Sequence, residues 1–302
     1  MKWERRGLVW APEGTADWAR HSALQPTAIA VDDSAIRVFA GLRAADGASR
    51  VGWVDVDAAD PTRVLRACQH PALDLGRPGT FDDNGVVPAA VVRRGGRLYL
   101  YYAGYMLAHR VRFLAFGGLA MSDDGGQSFE RLAEVPLTDR TPDELTFRVI
   151  HCLLEEVGTW RAWYGGGSGF LSHEGRTLAT YDIRTMESRD GFDFPRRGRT
   201  AIALAPGEQR VGRPCVMRTG SLYRMFFCAA AIGENYRLAY AESADGIEWT
   251  RKPLGLDIPP GSWDSAMAAY PNVVSHGGRV FLFYNGNDYG RQGFGCAVLR
   301  EW

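Results

Sequence analysis

Two aspartates, Asp82 and Asp83, sit beside a tight turn in the run Phe81-DDNGVVP, and a third, Asp264, holds the like place in Trp263-DSAMAAYPN. Carboxyl groups facing each other across a cleft are the equipment for cleaving a glycosidic bond, one giving a proton while the other activates water or attacks carbon. The same residues also build Asx turns that cap a strand, so both roles stay open for Asp82 and Asp83. His151 adds a group that titrates near neutral pH, at a point where sister segments carry proline. Arg148 and Arg213 offer planar forks that could clamp a carboxylate or phosphate, or pair with the aspartates as plain salt bridges. Asp83, His151 and Asp264 are the expected catalytic groups. His21, Gln25, Asp82, Arg148, Arg213 and Tyr270 are the expected ligand contacts. Glu155 and Glu156 stand next to the hairpin glycine Gly158 and are expected to face solvent.

Such a set needs elements that bring distant segments to one place. Short alternating apolar runs broken by Gly-Gly, Asp-Gly and Asn-Gly point to antiparallel strands joined by hairpins, and long helical patterns are missing. One hairpin recurs, a glycine turn followed by an aromatic strand: Gly95-GRLYLYYAG, Gly158-TWRAWYGGG, Gly220-SLYRMFFCA and Gly277-GRVFLFYNG. After three of these comes a small-residue strand ending in a Ser-x-Asp-Gly turn: Ser122-DDGGQSF, Ser188-RDGFDF and Ser243-ADGIEW. Ahead of the hairpins run apolar strands marked by Pro26, Pro88, Pro214 and Pro271, with His151 in the corresponding place of the remaining unit. Repeats of roughly sixty residues suit four-stranded blades, and the sequence therefore predicts an all-β fold, a single five-bladed β-propeller over residues 1–302. The first strands of the blades would surround an axis, and the residues at their starts would project into one central funnel.

Composition narrows the partner. Lys+Arg and Asp+Glu stand at 35 each, which implies no basic face for nucleic acid or anionic lipid. Lysine occurs at Lys2 and Lys252 alone, so Schiff-base chemistry is not expected. The five cysteines are scattered without a CxxC pair and the histidines are dispersed, so neither a metal site nor a cofactor is expected. Glu4, Arg5 and Arg6 interrupt the N-terminal segment where a signal peptide needs an apolar run, and no stretch has the length of a membrane span. A cytoplasmic protein with a neutral small-molecule or carbohydrate substrate fits these features, and its oligomeric state is left open.

Phe81-DDNGVVP, Ser122-DDGGQSF, Arg213-PCV, Tyr240-AESADGIEW and Trp263-DSAMAAYPNVV through Tyr284-NGNDYGRQGFGCAV together resemble a bacterial, glycosidase-like branch of the five-bladed propellers of glycoside hydrolase families 43, 32, 68 and 130. The resemblance spans nearly the whole chain. It implies a base carboxylate at the start of blade one, a second aspartate at blade two and a glutamate acid later. The chain departs from that pattern: blade one reads Leu24-Gln25-Pro26, an amide that cannot act as a base, and blade three offers His151. Three readings follow. The first is a glycosidase-like enzyme using an aspartate of blade two with Asp264 or His151. The second is a different reaction on a small metabolite, with His151 as base and Arg213 as anion clamp, and the third is a non-catalytic sugar-binding module.

Overall fold

The computed structural model describes residues 1–302, the side chain of Ser168 excepted. The chain opens with β1 (Lys2–Trp10) and continues through β2 (His21–Ala30), β3 (Ala35–Arg43), β4 (Ser49–Asp57) and β5 (Val64–Ala67). Next come β6 (Val86–Arg94), β7 (Arg97–Leu107), β8 (Phe113–Ser122) and β9 (Glu130–Arg131). These are followed by β10 (Phe147–Glu156), β11 (Thr159–His173), β12 (Arg176–Ser188) and β13 (Arg199–Ile202). The remainder of the chain forms β14 (Glu208–Thr219), β15 (Leu222–Ala231), β16 (Arg237–Ser243), β17 (Thr250–Lys252), β18 (Ala269–His276), β19 (Arg279–Asn285) and β20 (Phe294–Glu301). The structure is nearly all β, and no helix in it is long and apolar enough to cross a membrane.

Antiparallel pairing sorts the strands into groups of four: β2–β5, β6–β9, β10–β13, β14–β17, and lastly β18, β19, β20 with β1 on the outside. The first strands of the groups touch in a closed circuit, β2 to β6 to β10 to β14 to β18 and back to β2. The N-terminal strand had no assigned place in the repeat. It completes the last group by pairing with β20, so the two chain ends hold the circuit shut.

The aromatic hairpin repeat explains the packing. Successive residues of a strand face opposite sides of its sheet, so a pair of adjacent aromatics fills the clefts on both sides at once. Tyr101 packs with Leu153 and Trp160 of the next group, while Tyr102 packs with Phe39 and Trp53 of the preceding one. Trp163 and Tyr164, and Phe226 and Phe227, divide in the same way. The Ser-x-Asp-Gly turns add a polar tie: Ser243 Oγ accepts from the Gly246 amide at 2.8 Å, and Asp245 accepts from the amides of Ile247 and Glu248. Those amides hold the Asp245 carboxyl down at about 2. Each turn also offers a carbonyl to the group before it, to Trp53 at Gln127, to Tyr101 at Gly191 and to Trp163 at Gly246.

All five inner strands carry a β-bulge at the same height, where two residues oppose one on the second strand. The bulged pairs are Gln25-Pro26, Pro88-Ala89, Ile150-His151, Arg213-Pro214 and Tyr270-Pro271. The marker prolines therefore lie within the strands rather than at their starts. Gln25, Arg213 and Tyr270 have φ of 53°, 56° and 58°, a left-handed conformation that costs a side-chain-bearing residue energy and turns its side chain out of the sheet.

Closure by β1 gives a direct expectation. Trp3 is buried and meets Phe226 edge-on at 5.8 Å, so Trp3→Ala should lower stability by about 3–5 kcal/mol in urea unfolding. A loss below about 1 kcal/mol would show that the N-terminal strand does not close the ring.

Candidate functional site

A cavity of about 300 Å³ opens near the starts of the inner strands. Gln25, Val87, Arg210 and Tyr270 reach it from inner strands, Tyr105 and Phe113 from the second group, and Tyr181, Tyr236 and Tyr289 from farther round the ring. Phe170 and Thr177–Ala179 line one side, because β11 and β12 extend past their neighbours as a long hairpin. The lining mixes tyrosines, arginines and the amides of Gln25 and Asn84 with apolar residues such as Leu24, Val87 and Phe170, and among its described residues there is no aspartate or glutamate.

Of the residues singled out from the sequence, Gln25 and Tyr270 line this cavity. Both owe that position to the bulge and its positive φ. Gln25 is 6% exposed, its amide group lies against the Tyr105 hydroxyl, and its Oε1 is buried without a donor. Tyr270 meets Tyr236 edge-on at 5.6 Å and stands 6.4 Å from Tyr289. The Tyr181 and Tyr236 hydroxyls share a short hydrogen bond. Arg210 lies over the Tyr236 ring at 4.4 Å. Burial works against its charge, and the surrounding tyrosines, Tyr236 and Tyr181 foremost, favour it enough to raise its pKa.

The expected carboxylates lie elsewhere. Asp82 is fully buried, accepting from the Tyr102 hydroxyl at 3.0 Å, Thr80 Oγ1 at 2.8 Å and Arg131 Nε at 2.8 Å. Asp264 is likewise fully buried, accepting from Arg5 Nη2 at 2.5 Å, the Tyr284 hydroxyl at 2.7 Å and Ser262 Oγ at 2.6 Å. Glu144, which the sequence reading passed over, repeats the arrangement with the Tyr164 hydroxyl, Arg148 Nε at 2.7 Å and Arg184 Nη1 at 3.0 Å. Tyr102, Tyr164 and Tyr284 are the residues that oppose the bulges of their own groups. Acid, tyrosine and arginine thus form a strut behind the bulge, and every lone pair committed there is withdrawn from chemistry in the cavity. Asp83 is half-buried and accepts from the Gly79 amide at 2.8 Å and from the Asn84 side chain, so it closes the preceding turn rather than forming the expected Asx turn. Asn84, its neighbour, lines the cavity.

The basic candidates divide as well. Arg148 is held by Glu144 and donates to the Pro195 carbonyl at 2.6 Å, so it serves the strut rather than a ligand. His21 lies outside the cavity lining, with Nδ1 2.8 Å from Ser22 Oγ. His151 is 4% exposed, lies near Phe147 and does not line the cavity. Burial first, and the Arg213 charge second, push its pKa well below the usual histidine value, keeping the ring neutral. Arg213 lies under the cavity at the axis, donating to the carbonyls of Ala89 at 2.5 Å, Pro26 at 3.3 Å and His151 at 3.4 Å and to Thr27 Oγ1 at 2.7 Å. Arg210, Tyr181, Tyr236 and the long third hairpin escaped the sequence reading. The glycine run Gly165–Gly167 inside the unusually long β11 was the signal for the hairpin, and Arg210, three residues before Arg213, carried none.

Two expectations follow. Asp264→Asn should cost at least about 2 kcal/mol in denaturant unfolding, because it leaves Arg5 without its charge partner; an unchanged stability would free Asp264 for another role. For His151 the folded pKa lies below the unfolded value of 6.5, so the unfolded chain binds the extra proton and stability falls as pH drops below about 6.5. His151→Gln should remove up to about 1.4 kcal/mol per pH unit from that slope, read from urea midpoints between pH 7 and 5. An unchanged slope would mean that the ring takes up its proton as readily in the fold as in the unfolded chain.

No family model matches the chain. Two proteins of Mycobacterium tuberculosis, uncharacterized protein MT1551 and uncharacterized protein Rv1502, are 37% identical to it over 307 residues, covering 100% of both chains. Among solved structures, a glycoside hydrolase superposes with a TM-score of 0.74 at 21% identity, covering 99% of this chain and 92% of its own. A thermostable family-43 glycoside hydrolase superposes with a TM-score of 0.67 at 16% identity, covering 93% and 90%. Identity at that level speaks for the fold, a propeller of the family-43 type. The chain therefore belongs to the family of these two mycobacterial proteins and shares the fold of family-43 glycoside hydrolases.

Proposed function

We propose that the five strand groups are the blades of one closed propeller over residues 1–302, and that its axial cavity binds a sugar or a sugar-containing small molecule without cleaving it through a carboxylate pair. The observation that carries this reading is the composition of the cavity lining: tyrosine faces, the amides of Gln25 and Asn84, and no described carboxylate. Glycoside hydrolysis by the common route needs two carboxyl groups flanking the scissile bond. Asp82 and Asp264 are engaged in buried struts, and Asp83 caps a turn. Sugar recognition needs flat apolar faces and a few fixed hydrogen-bonding groups, which this lining supplies. The five cysteines are free, in support of a reducing, cytoplasmic setting.

Purified protein offered a panel of aryl pyranosides and furanosides should release no more phenol than buffer does. Turnover that vanishes in Asp83→Asn or in a still-folded Asp264→Asn would contradict the reading and restore the glycosidase. In titration calorimetry Tyr270→Ala should weaken binding of a sugar ligand by about tenfold, the value of one lost ring contact.

A further inference from the structure

The molecule as a whole is neutral, and its arginines are generally matched: Arg5, Arg131, Arg148 and Arg184 each stand on a buried acid. The cavity breaks that balance. Arg43, Arg112 and Arg210 line it and Arg213 lies beneath it, yet among the described residues none of the four has a carboxylate oxygen within 4.0 Å. Arg210 is the most informative. Its Nε is buried and donates to nothing, and Nη2 reaches the Glu234 carbonyl at 3.5 Å. Beyond that carbonyl, its charge faces tyrosine rings.

A half-buried guanidinium with a buried, free Nε donor and no counter-charge is a group that an anion can complete, through charge-assisted and often forked hydrogen bonds. Across the same cavity the buried Oε1 of Gln25 lacks a donor, which a sugar hydroxyl would supply. A volume of about 300 Å³ suits one sugar ring with a single charged substituent. We infer that the ligand of this cavity is an anionic monosaccharide unit, a sugar acid or a sugar phosphate, whose carboxylate or phosphate sits on Arg210 with Arg43 and Arg112 at the mouth. This rests on the cavity being a sugar site and names the class of sugar.

Titration calorimetry on the full chain with glucuronate, galacturonate, glucose 1-phosphate, glucose 6-phosphate, glucose and inorganic phosphate tests it. At least one anionic sugar should bind at least about tenfold more tightly than glucose, and added salt should weaken it. Arg210→Gln should abolish that preference; Arg112→Gln, at the exposed mouth, should reduce it without touching the fold. Response to the uronates alone assigns a sugar acid, and response to the phosphates alone a phosphate ester. Glucose binding as tightly as its charged relatives overturns the inference and leaves the sugar site standing. Binding of inorganic phosphate with no sugar, or of no sugar at all, overturns both.

Discussion

The centre of the molecule depends on where one charge is put. Arg213 projects from the bulge of β14 to the axis and is fully enclosed, without an acid to balance it. Burial lowers its pKa to about 10, so it remains a cation at neutral pH. What holds it is a set of backbone carbonyls from Pro26, Ala89 and His151, which are the second bulge residues of three other inner strands, together with the Thr27 hydroxyl. A bulge removes a residue from the hydrogen-bonding ladder and leaves its carbonyl free. The repeated bulge therefore explains two things at once: it frees the oxygens that solvate Arg213, and it turns Gln25 and Tyr270 into the cavity above. The contact is made by carbonyls, so the side chain at that position is unconstrained, and proline, alanine and histidine are interchangeable there.

From this arrangement the character of the cavity follows. The bulges must be held from behind, and in three groups a buried acid does so by accepting from the tyrosine opposite the bulge and from an arginine. Carboxylates spent on struts are not available in the funnel. The arginines of the funnel, in turn, have no struts to serve, so the floor and walls carry positive charge that the protein itself does not neutralise. A fold shared with glycoside hydrolases thus surrounds a basic, tyrosine-rich pocket.

Most of the architecture was legible in the sequence because its cause is local. Adjacent aromatics after a glycine turn, as at Tyr101-Tyr102 and Phe226-Phe227, can be buried on both faces only if sheets stand on either side. The Ser-x-Asp-Gly turns are closed by contacts within five residues. The partner of β1 was not legible, since its pairing with β20 joins opposite ends of the chain and leaves no local trace. At the site the sequence identified the right height along the inner strands but not the direction of each side chain. Gln25 and Tyr270 turn outward into the cavity through positive φ, whereas His151, at the proline position of its bulge, turns into the packing. Asp82 and Asp264 were marked as acids near strand starts, correctly, yet the arginines that claim them, Arg131 and Arg5, lie 49 and 259 residues away.

The central claim is that the funnel presents arginine and tyrosine, and no carboxylate, to a sugar-sized ligand. A crystal structure of the protein soaked with a hexuronic acid or a hexose phosphate tests it most directly. The sugar ring is expected against Tyr270, its anionic group on Arg210, a hydroxyl on Gln25 Oε1, and no protein carboxylate within hydrogen-bond reach of the anomeric centre. A ligand seated with Asp83 or Asp264 at its anomeric carbon would contradict it.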